Sequence, residues 1–351
     1  MAQFDMPLEQ LRTYSPESTE PPDFRQFWLD SLAEAREAAV AGSESRVKLE
    51  RLDTGLNAVL VDDITFPGFA ADPIKSWLIR PAGEAPAGGW PVIVQLIAYG
   101  GGRGLPHEHL KWAAAGYAHL VVDARGQGGH WGSGGDTGDP HGRSASVGGW
   151  LTAGIDDPEG HYYRRYYIDG VRAVDAVREI ADLDASRVAL LGISQAGGGV
   201  IAASSILSLA GEPVQAVMAN VPFLLDFGRA VRIVDSRPYG EITQLLSVKR
   251  SPEFEAVVWN TLSYLDGVNF ARYATSPALF SVALMDMTCP PSTVFAAFNA
   301  WGEFATTADL TGGRAPTATV PKEIEVYPYN THEGGQEYHF GAELKWAKKY
   351  I

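Results

Sequence analysis

Ser194 stands in a sequence context that is typical of an activated nucleophile. The five residues after the apolar run 188–191 are Gly192-Ile193-Ser194-Gln195-Ala196. A helix-like segment of small residues follows and ends near Gly211. A strand, a tight turn and a helix in this order form a nucleophile elbow, which exposes the serine hydroxyl above a sheet. Small neighbours are needed because the turn and the helix pass close to the strand.

A serine nucleophile of this kind needs a histidine base, and the chain order is Ser, then Asp or Glu, then His. Of the eight histidines in the chain, only His332 and His339 follow Ser194. His332 comes just after the predicted strand 323–328, where the carboxyl ends of parallel strands place catalytic groups. His339 falls within the predicted terminal helix 335–349, and we interpret it as a surface or packing histidine. His332 is therefore the predicted base.

Asp286 is the best placed carboxylate between the serine and the histidine. It is the first polar residue after the apolar run 280–285, and a buried carboxylate there would hold the imidazole in the correct tautomer. Taken alone, it could equally cap the helix predicted from residue 291. Other carboxylates in this interval fall in predicted loops or helices or lie beside the histidine in sequence: Asp226, Asp266, Glu303, Asp309 and Glu333.

An oxyanion hole needs two backbone amides directed at the developing negative charge. The residue after the nucleophile, Gln195, supplies the first predicted amide. The second is assigned to Tyr99, which follows the predicted central strand 90–97 and precedes three glycines. The glycine-rich run 99–104 matches neither a dinucleotide fingerprint nor a Walker loop. His107-Glu108-His109 lacks a third ligand, so we predict solvent-facing residues there and no metal or cofactor in the protein.

Composition excludes several classes of protein. The net charge is −14 and no run of Lys or Arg occurs, so no nucleic-acid partner is expected. Cys289 is the only cysteine, which rules out an internal disulfide. No segment approaches the length of apolar sequence that a membrane helix needs, and the first 22 residues have no apolar core. We therefore expect a soluble, cytoplasmic protein that does not bind membranes.

The remaining elements indicate one α/β domain over residues 1–351. An amphipathic helix is predicted over 23–40 and a helix over 105–116. The residues 123–161 form a long loop that contains Trp131 and Trp150, which indicates that the loop packs against the protein. A mostly helical, cap-like insertion is predicted over 222–275. Predicted strands cover 45–51, 57–66, 74–80, 90–97, 118–122, 188–191, 214–220, 277–285 and 323–328. Alternating strands and helices in the second half predict a mostly parallel sheet with an antiparallel N-terminal edge.

The chain resembles the acetyl xylan esterase/cephalosporin-C deacetylase family, carbohydrate esterase family seven. The motifs that carry the resemblance are Arg125-Gly126-Gln127, Gly192-Ile193-Ser194-Gln195-Ala196 and His332-Glu333. Further similar stretches lie at 68–81, 162–165, 221–231, 285–286, 289–297 and 326–330. The resemblance covers roughly residues 7–350. Arg125 and Gln127 belong to a motif after a buried strand, where we expect Arg125 to pair with a buried carboxylate or loop carbonyls.

The resemblance implies an α/β-hydrolase fold in which Ser194, Asp286 and His332 form a triad and Tyr99 and Gln195 the oxyanion hole. It also implies removal of acetyl groups from sugars such as xylo-oligosaccharides and from small esters such as cephalosporin C. Members act without a metal, typically as hexamers whose active sites face an internal cavity. A homohexamer is therefore expected.

Two positions depart from the family pattern. Ala196 replaces the last glycine of the elbow, and Ile97-Ala98 replaces a His-Gly pair before the oxyanion tyrosine. Phe223, Pro222, the insertion and the tryptophan-containing loop are expected to close a small acyl pocket. Alternatives that the residues leave open are a serine peptidase or acyltransferase on the same fold, and a non-catalytic carbohydrate-binding relative.

Overall fold

The structure is a computed structural model that describes residues 3–41, 46–142, 148–305 and 319–351. Within these residues nine strands form one sheet, in the order β1-β2-β3-β5-β4-β6-β7-β8-β9. The strands are β1 (Lys48–Leu52), β2 (Val59–Pro67), β3 (Pro73–Pro81), β4 (Trp90–Gln95), β5 (Ala118–Val122), β6 (Leu183–Ile193), β7 (Ala216–Asn220), β8 (Ala278–Ala283) and β9 (Lys322–Tyr327).

The sheet is antiparallel at one end and parallel over the rest. The pairs β1–β2, β2–β3 and β3–β5 are antiparallel. From β5 through β4, β6, β7 and β8 to β9 every pair is parallel. This is the topology of an α/β-hydrolase, and the predicted mostly parallel sheet with an antiparallel N-terminal edge is confirmed.

Helices cover both faces of the sheet, as parallel strands require. They are α1 (Leu8–Leu11), α2 (Phe24–Ala41), α3 (Leu110–Ala114), α4 (Tyr162–Glu179), α5 (Gln195–Leu209), α6 (Phe227–Ile233), α7 (Gly240–Val248), α8 (Pro252–Leu265), α9 (Gly267–Ala271), α10 (Pro291–Ala300) and α11 (Gln336–Tyr350). Successive residues of a strand point to opposite faces. In β4, Val92 and Val94 join the large core on the α4–α5 side, whereas Ile93 packs with Trp112 of α3 and Trp346 of α11.

The segment between β7 and β8 contains the four helices α6 to α9. We call this segment the cap. Residues 123–142 and 148–161 form no strand and contain a single short helical turn, Trp150–Thr152. Some predicted positions lie outside the described residues: residue 45 of the first predicted strand, the loop residues 143–147 and Asp309. The predicted helix over 105–116 is a 3-10 turn, Pro106–His109, followed by the short helix α3.

α5 is buried at every position, because it packs between the sheet, α4 and the cap. Its first turn contains Gly197, Gly198 and Gly199. A Cβ at Gly198 would lie 2.2 Å from the carbonyl oxygen of Phe223, so only glycine lets the cap approach the helix. None of the helices in the described residues is both long enough and apolar enough to cross a membrane.

Candidate active site

Ser194 occupies a strained turn between β6 and α5. Its φ and ψ are 59° and −119°, a region that residues with a side chain rarely adopt. A Cβ at Gly192 would lie 2.1 Å from the carbonyl oxygen of Ala196, which explains why glycine precedes the turn. The amide of Ser194 donates to the carbonyl of Asn220 at the end of β7, over 2.9 Å. The tight elbow forms although Ala196 stands where the family pattern has glycine.

His332 lies beside Ser194 although 138 residues separate them in sequence. Its Nε2 is 2.9 Å from the Ser194 hydroxyl oxygen, and its Nδ1 is 2.8 Å from Asp286 Oδ2. The side chain of Asp286 is completely buried, whereas the imidazole is one-third exposed. Nδ1 donates to the carboxylate, so Nε2 is left as the acceptor for the serine proton. The three predicted residues thus form one hydrogen-bonded chain with the geometry of an activated serine.

Asp286 is held by its own loop, between β8 and α10. Its Oδ1 accepts hydrogen bonds from the amides of Thr288 and Cys289, at 2.8 and 3.0 Å. The carboxylate therefore caps the turn before the helix and also contacts the imidazole. It does not cap α10 itself, which begins at Pro291 and has no side-chain cap, so the helix-capping alternative is wrong. The two oxygens of Asp286 have separate partners, a loop turn and the imidazole.

The amides of Tyr99 and Gln195 have no hydrogen-bond acceptor among the described residues. Tyr99 follows β4, and Gln195 begins α5, so its amide is one of the four that a helix leaves unsatisfied. Free amides at a strand end and a helix N-terminus beside a serine are suited to binding an anion. Position and free donors are therefore consistent with the predicted oxyanion hole.

A buried pair of glutamine side chains joins the two segments that carry these amides. Gln127 Oε1 accepts from the amide of Gly100 over 2.6 Å, and its Nε2 donates to Gln195 Oε1 over 2.9 Å. Gln195 Nε2 in turn donates to the carbonyl of Ile97 over 3.2 Å, and Tyr163 donates to Gln195 Oε1 over 2.9 Å. The segments around Tyr99 and Ser194 are thereby held in register with each other.

Arg125, the first residue of the same motif, is completely buried among carboxylates. Its guanidinium binds Asp169 through two hydrogen bonds of 2.5 and 2.8 Å, and contacts Asp72 at 2.9 Å and Asp139 at 3.3 Å. Asp139 also pairs with Arg165 at 2.9 Å. Burial raises the pKa of Asp169, although the neighbouring guanidinium opposes that shift. The cluster attaches the turn after β5 to α4.

The two predicted pocket residues lie on the cap side of the elbow. Pro222 and Phe223 are both buried, and the Phe223 amide donates to the Ser194 carbonyl over 2.9 Å. The ring of Phe223 is 6.3 Å from that of Tyr99 and 4.4 Å from that of Tyr239. Phe223 therefore connects the cap to the strand end that carries Tyr99.

Sequence reasoning placed the loop of Trp131 at the acyl pocket, but it did not identify two contacts of Tyr99, with Trp131 and with Glu241. The indole of Trp131 donates to the carbonyl of Tyr99 over 2.7 Å, and half of its surface is exposed. Glu241, on α7, accepts a hydrogen bond from the Tyr99 hydroxyl over 2.5 Å. The aromatic character of the long loop signalled that it packs somewhere, but no motif connects Glu241 with Tyr99.

One group of potential metal ligands occurs in the described residues, and it overlaps the hydrogen-bonded chain. Ligand atoms of Asp286, Cys289 and His332 lie within 4.8 Å of one another. Both oxygens of Asp286 already accept hydrogen bonds, and burial raises the pKa of the Cys289 thiol well above its usual value. A metal here would have to displace these protons. At the other candidate cluster His107 and Glu108 are exposed as predicted, whereas His109 is half-buried against the Arg103 carbonyl.

His339 belongs to a buried network behind the elbow. Its Nε2 donates to Asn220 Oδ1 over 2.7 Å, and its Nδ1 accepts from the Tyr327 hydroxyl over 2.9 Å. Burial lowers the pKa of His339 to about 4. Asn220 also donates to Glu343 over 2.5 Å. Both nitrogens of His339 are therefore occupied away from the Ser194 hydroxyl.

Comparison with known proteins identifies the family of the chain. A family model described as acetyl xylan esterase (AXE1) matches residues 1–350. The acetyl xylan esterase from Paenibacillus sp. R4 is 35% identical with a TM-score of 0.83, over 99% of this chain and 100% of that one. Acetyl xylan esterase 1 from Thermoanaerobacterium sp. JW/SL YS485 is 28% identical with a TM-score of 0.82, over 99% and 100%.

A curated relative, the acetyl esterase Axe7A of Xylanibacter ruminicola, is 27% identical over an alignment of 350 positions, which covers 96% of this chain and 69% of the relative. The family match spans almost the whole chain and includes the elbow, the Asp286 loop and the His332 loop. The chain therefore belongs to the acetyl xylan esterase family and is a carboxylic ester hydrolase.

Proposed function

We propose that this protein removes acetyl groups from acetylated carbohydrates, xylo-oligosaccharides among them, and from small acetyl esters such as cephalosporin C. The observation that carries the proposal is the hydrogen-bonded chain from Asp286 through His332 to the Ser194 hydroxyl, with distances of 2.8 and 2.9 Å. Family membership supports acetyl esters as the substrate class.

In the proposed mechanism His332 Nε2 takes the hydroxyl proton while Ser194 Oγ attacks the acetyl carbonyl carbon. The amides of Tyr99 and Gln195 donate to the oxygen that becomes negative in the tetrahedral intermediate. The imidazolium, stabilised by Asp286, then protonates the leaving alcohol and an acetyl-serine remains. His332 activates a water molecule that attacks the acetyl carbon, and acetate leaves as Oγ regains its proton.

We assign the wall of the acyl pocket to Pro222 and Phe223. Their support is location: Pro222 directly precedes the Phe223 amide, which binds the Ser194 carbonyl, and the Phe223 ring faces Tyr99. A pocket wall of this kind discriminates one methylene by about 10- to 200-fold. Rates should accordingly fall stepwise from acetyl to propionyl and butyryl esters.

The test compares the wild type with Ser194→Ala on 4-nitrophenyl esters of increasing acyl length and on acetylated xylo-oligosaccharides. We expect kcat of the variant to fall roughly 10⁶-fold on every substrate, because no other side chain replaces the nucleophile. The wild type should prefer acetyl esters and release acetate from the oligosaccharides.

Ser186→Ala is the matched control, because Ser186 lies on the same strand and its exposed hydroxyl only binds Asp184. If the Ser194→Ala variant turned over its substrates at the wild-type rate, Ser194 would not be the nucleophile. Equal rates for acetyl and longer esters would leave the nucleophile intact but overturn the deacetylase proposal.

Two other expectations stay predictions: a homohexamer and a cytoplasmic location. The first follows from the resemblance, and light scattering coupled to size-exclusion chromatography measures the assembly directly. The second follows from composition, and fractionation of the source cells tests it.

A further inference from the structure

A carboxylate of the cap is hydrogen-bonded to the residue that carries one proposed oxyanion donor. Glu241 lies in the first turn of α7, and its Oε1 accepts from the Tyr99 hydroxyl over 2.5 Å. The amide of Gly149 lies 3.0 Å from the same carboxylate oxygen and 3.0 Å from the Tyr99 hydroxyl. Three segments distant in sequence therefore meet at one carboxylate.

The carboxylate at this meeting point is buried, whereas Tyr99 and Gly149 are partly buried. Glu241 is only 6% exposed. Burial and the adjacent carboxylate raise the pKa of Tyr99, so the phenol stays protonated and donates a hydrogen bond to Glu241. Glu241 is the only acceptor of this hydroxyl among the described residues. Without it, a partly buried donor would lose its acceptor, which carries a free-energy cost.

The main chain at Tyr99 depends on such side-chain anchors because three glycines follow it. Gly100 already has a φ of 81°, and residues without a Cβ move more freely than others. The Tyr99 carbonyl is held by Trp131 over 2.7 Å and the Gly100 amide by Gln127 over 2.6 Å. These two bonds fix the peptide group after Tyr99. In the peptide group before it, the Ala98 carbonyl accepts from the Gly101 amide over 3.1 Å, whereas the Tyr99 amide has no acceptor among the described residues.

We propose that Glu241 is a positioning residue of the oxyanion hole, which holds the Tyr99 side chain and so directs the Tyr99 amide at the reacting carbonyl oxygen. The inference rests on the proposed role of Tyr99. It makes the cap part of the catalytic apparatus, in addition to any role in enclosing the acyl group. The surroundings of the Tyr99 ring support this, because the ring packs edge-to-face against two others. The centroid distances are 4.9 Å to Trp150 and 6.3 Å to Phe223.

The test is a double-mutant cycle on 4-nitrophenyl acetate with Tyr99→Phe, Glu241→Leu and the double variant. Each single substitution should lower kcat about 10-fold with KM unchanged, less than the 10²–10³-fold that follows complete loss of an oxyanion donor. The double variant should lose no more than either single one, because both break the same hydrogen bond. Glu241→Gln, which keeps an acceptor oxygen, should recover most of the kcat lost in Glu241→Leu.

A second readout is inhibition by methaneboronic acid, whose serine adduct carries a tetrahedral anion. Its inhibition constant should rise in proportion to the loss of kcat, which a purely structural effect would not produce. Tyr14→Phe is the matched control, because Tyr14 donates to Asp226 of the cap over 2.8 Å and does not contact Tyr99. It should leave kcat and the inhibition constant unchanged.

Wild-type kcat in Tyr99→Phe, losses that multiply in the double variant, or a rise in KM alone would each overturn the inference. Tyr99→Phe removes one oxygen atom, so it tests the inference even if Glu241→Leu fails to fold. Turnover by Ser194→Ala would instead overturn the proposed function. An inactive Ser194→Ala together with fully active Tyr99→Phe would overturn the positioning role alone.

Discussion

Asp286 shows at the scale of a single residue how one side chain can serve both folding and chemistry. Oδ1 caps two backbone amides of its own loop, while Oδ2 binds His332 Nδ1. The capping bonds fix the plane of the carboxylate, and this plane fixes the imidazole. The proton on Nδ1 then leaves Nε2 free to accept from Ser194.

Asp286→Asn is therefore expected to lower kcat by roughly 10⁴-fold on 4-nitrophenyl acetate, because the amide favours the wrong imidazole tautomer and cannot stabilise the imidazolium. Steady-state kinetics near neutral pH measure the loss. Asp157→Asn is a suitable control, since Asp157 also accepts from two loop amides, of Glu159 and Gly160, on an exposed surface. Activity within a few-fold of the wild type in Asp286→Asn would contradict this role.

At the scale of elements, the turn after β5 is attached to α4 through Arg125. This guanidinium contacts three carboxylates, of Asp72, Asp139 and Asp169. The neighbouring Gln127 joins the glutamine pair at the elbow. Arg125 therefore attaches the turn to α4 by charged contacts, and Gln127 attaches the turn to the candidate site by neutral hydrogen bonds.

Arg125→Met should lower the free energy of unfolding by about 3–5 kcal/mol, because it leaves the buried carboxylate of Asp169 without a counter-charge. Urea denaturation followed by far-ultraviolet circular dichroism measures the difference. Arg51→Met is the comparison: Arg51 is half exposed and pairs with Asp62, so its loss should cost about 1 kcal/mol or less. Equal effects of the two substitutions would contradict the structural role of Arg125.

The order of the elements was predictable because apolar runs and turn residues mark the strands. The candidate site was predictable for those residues that directly follow a strand. Ser194, Asp286 and His332 each come after a strand of the parallel part of the sheet. Glu241 was not predictable, because its contact with Tyr99 joins residues 142 positions apart and α7 has no motif. The buried contacts of His339 were not predictable, because a histidine in a predicted helix can lie equally well on the surface or in the core.

For the whole molecule, pH acts on stability through a carboxylate that holds the cap together. Asp266, between α8 and α9, accepts from the amides of Asp226, Phe227 and Val268. Burial, followed by repulsion from the Asp226 carboxylate, raises the pKa of Asp266 to about 7. The folded state therefore favours the protonated acid. This contribution to stability is complete below the ordinary pKa of an aspartate and is lost as pH rises through about 7.

Asp266→Asn removes that titration. The free energy of unfolding of the wild type, measured relative to the variant, should fall as pH rises from 5 to 8. Urea titrations of both proteins across this range measure the difference, and groups that do not interact with Asp266 cancel. A difference that stays constant or rises with pH would contradict the raised pKa.

The proposed catalytic groups come from two portions of the chain, one before and one after about residue 183. Nucleophile, base and orienting carboxylate all come from the later portion, whereas Tyr99 and Gln127 come from the earlier one. The Gln195 amide also comes from the later portion, so only one of the two proposed oxyanion donors depends on residues before 183. A lesion confined to Tyr99 or Gln127 would therefore slow turnover without removing the attacking group.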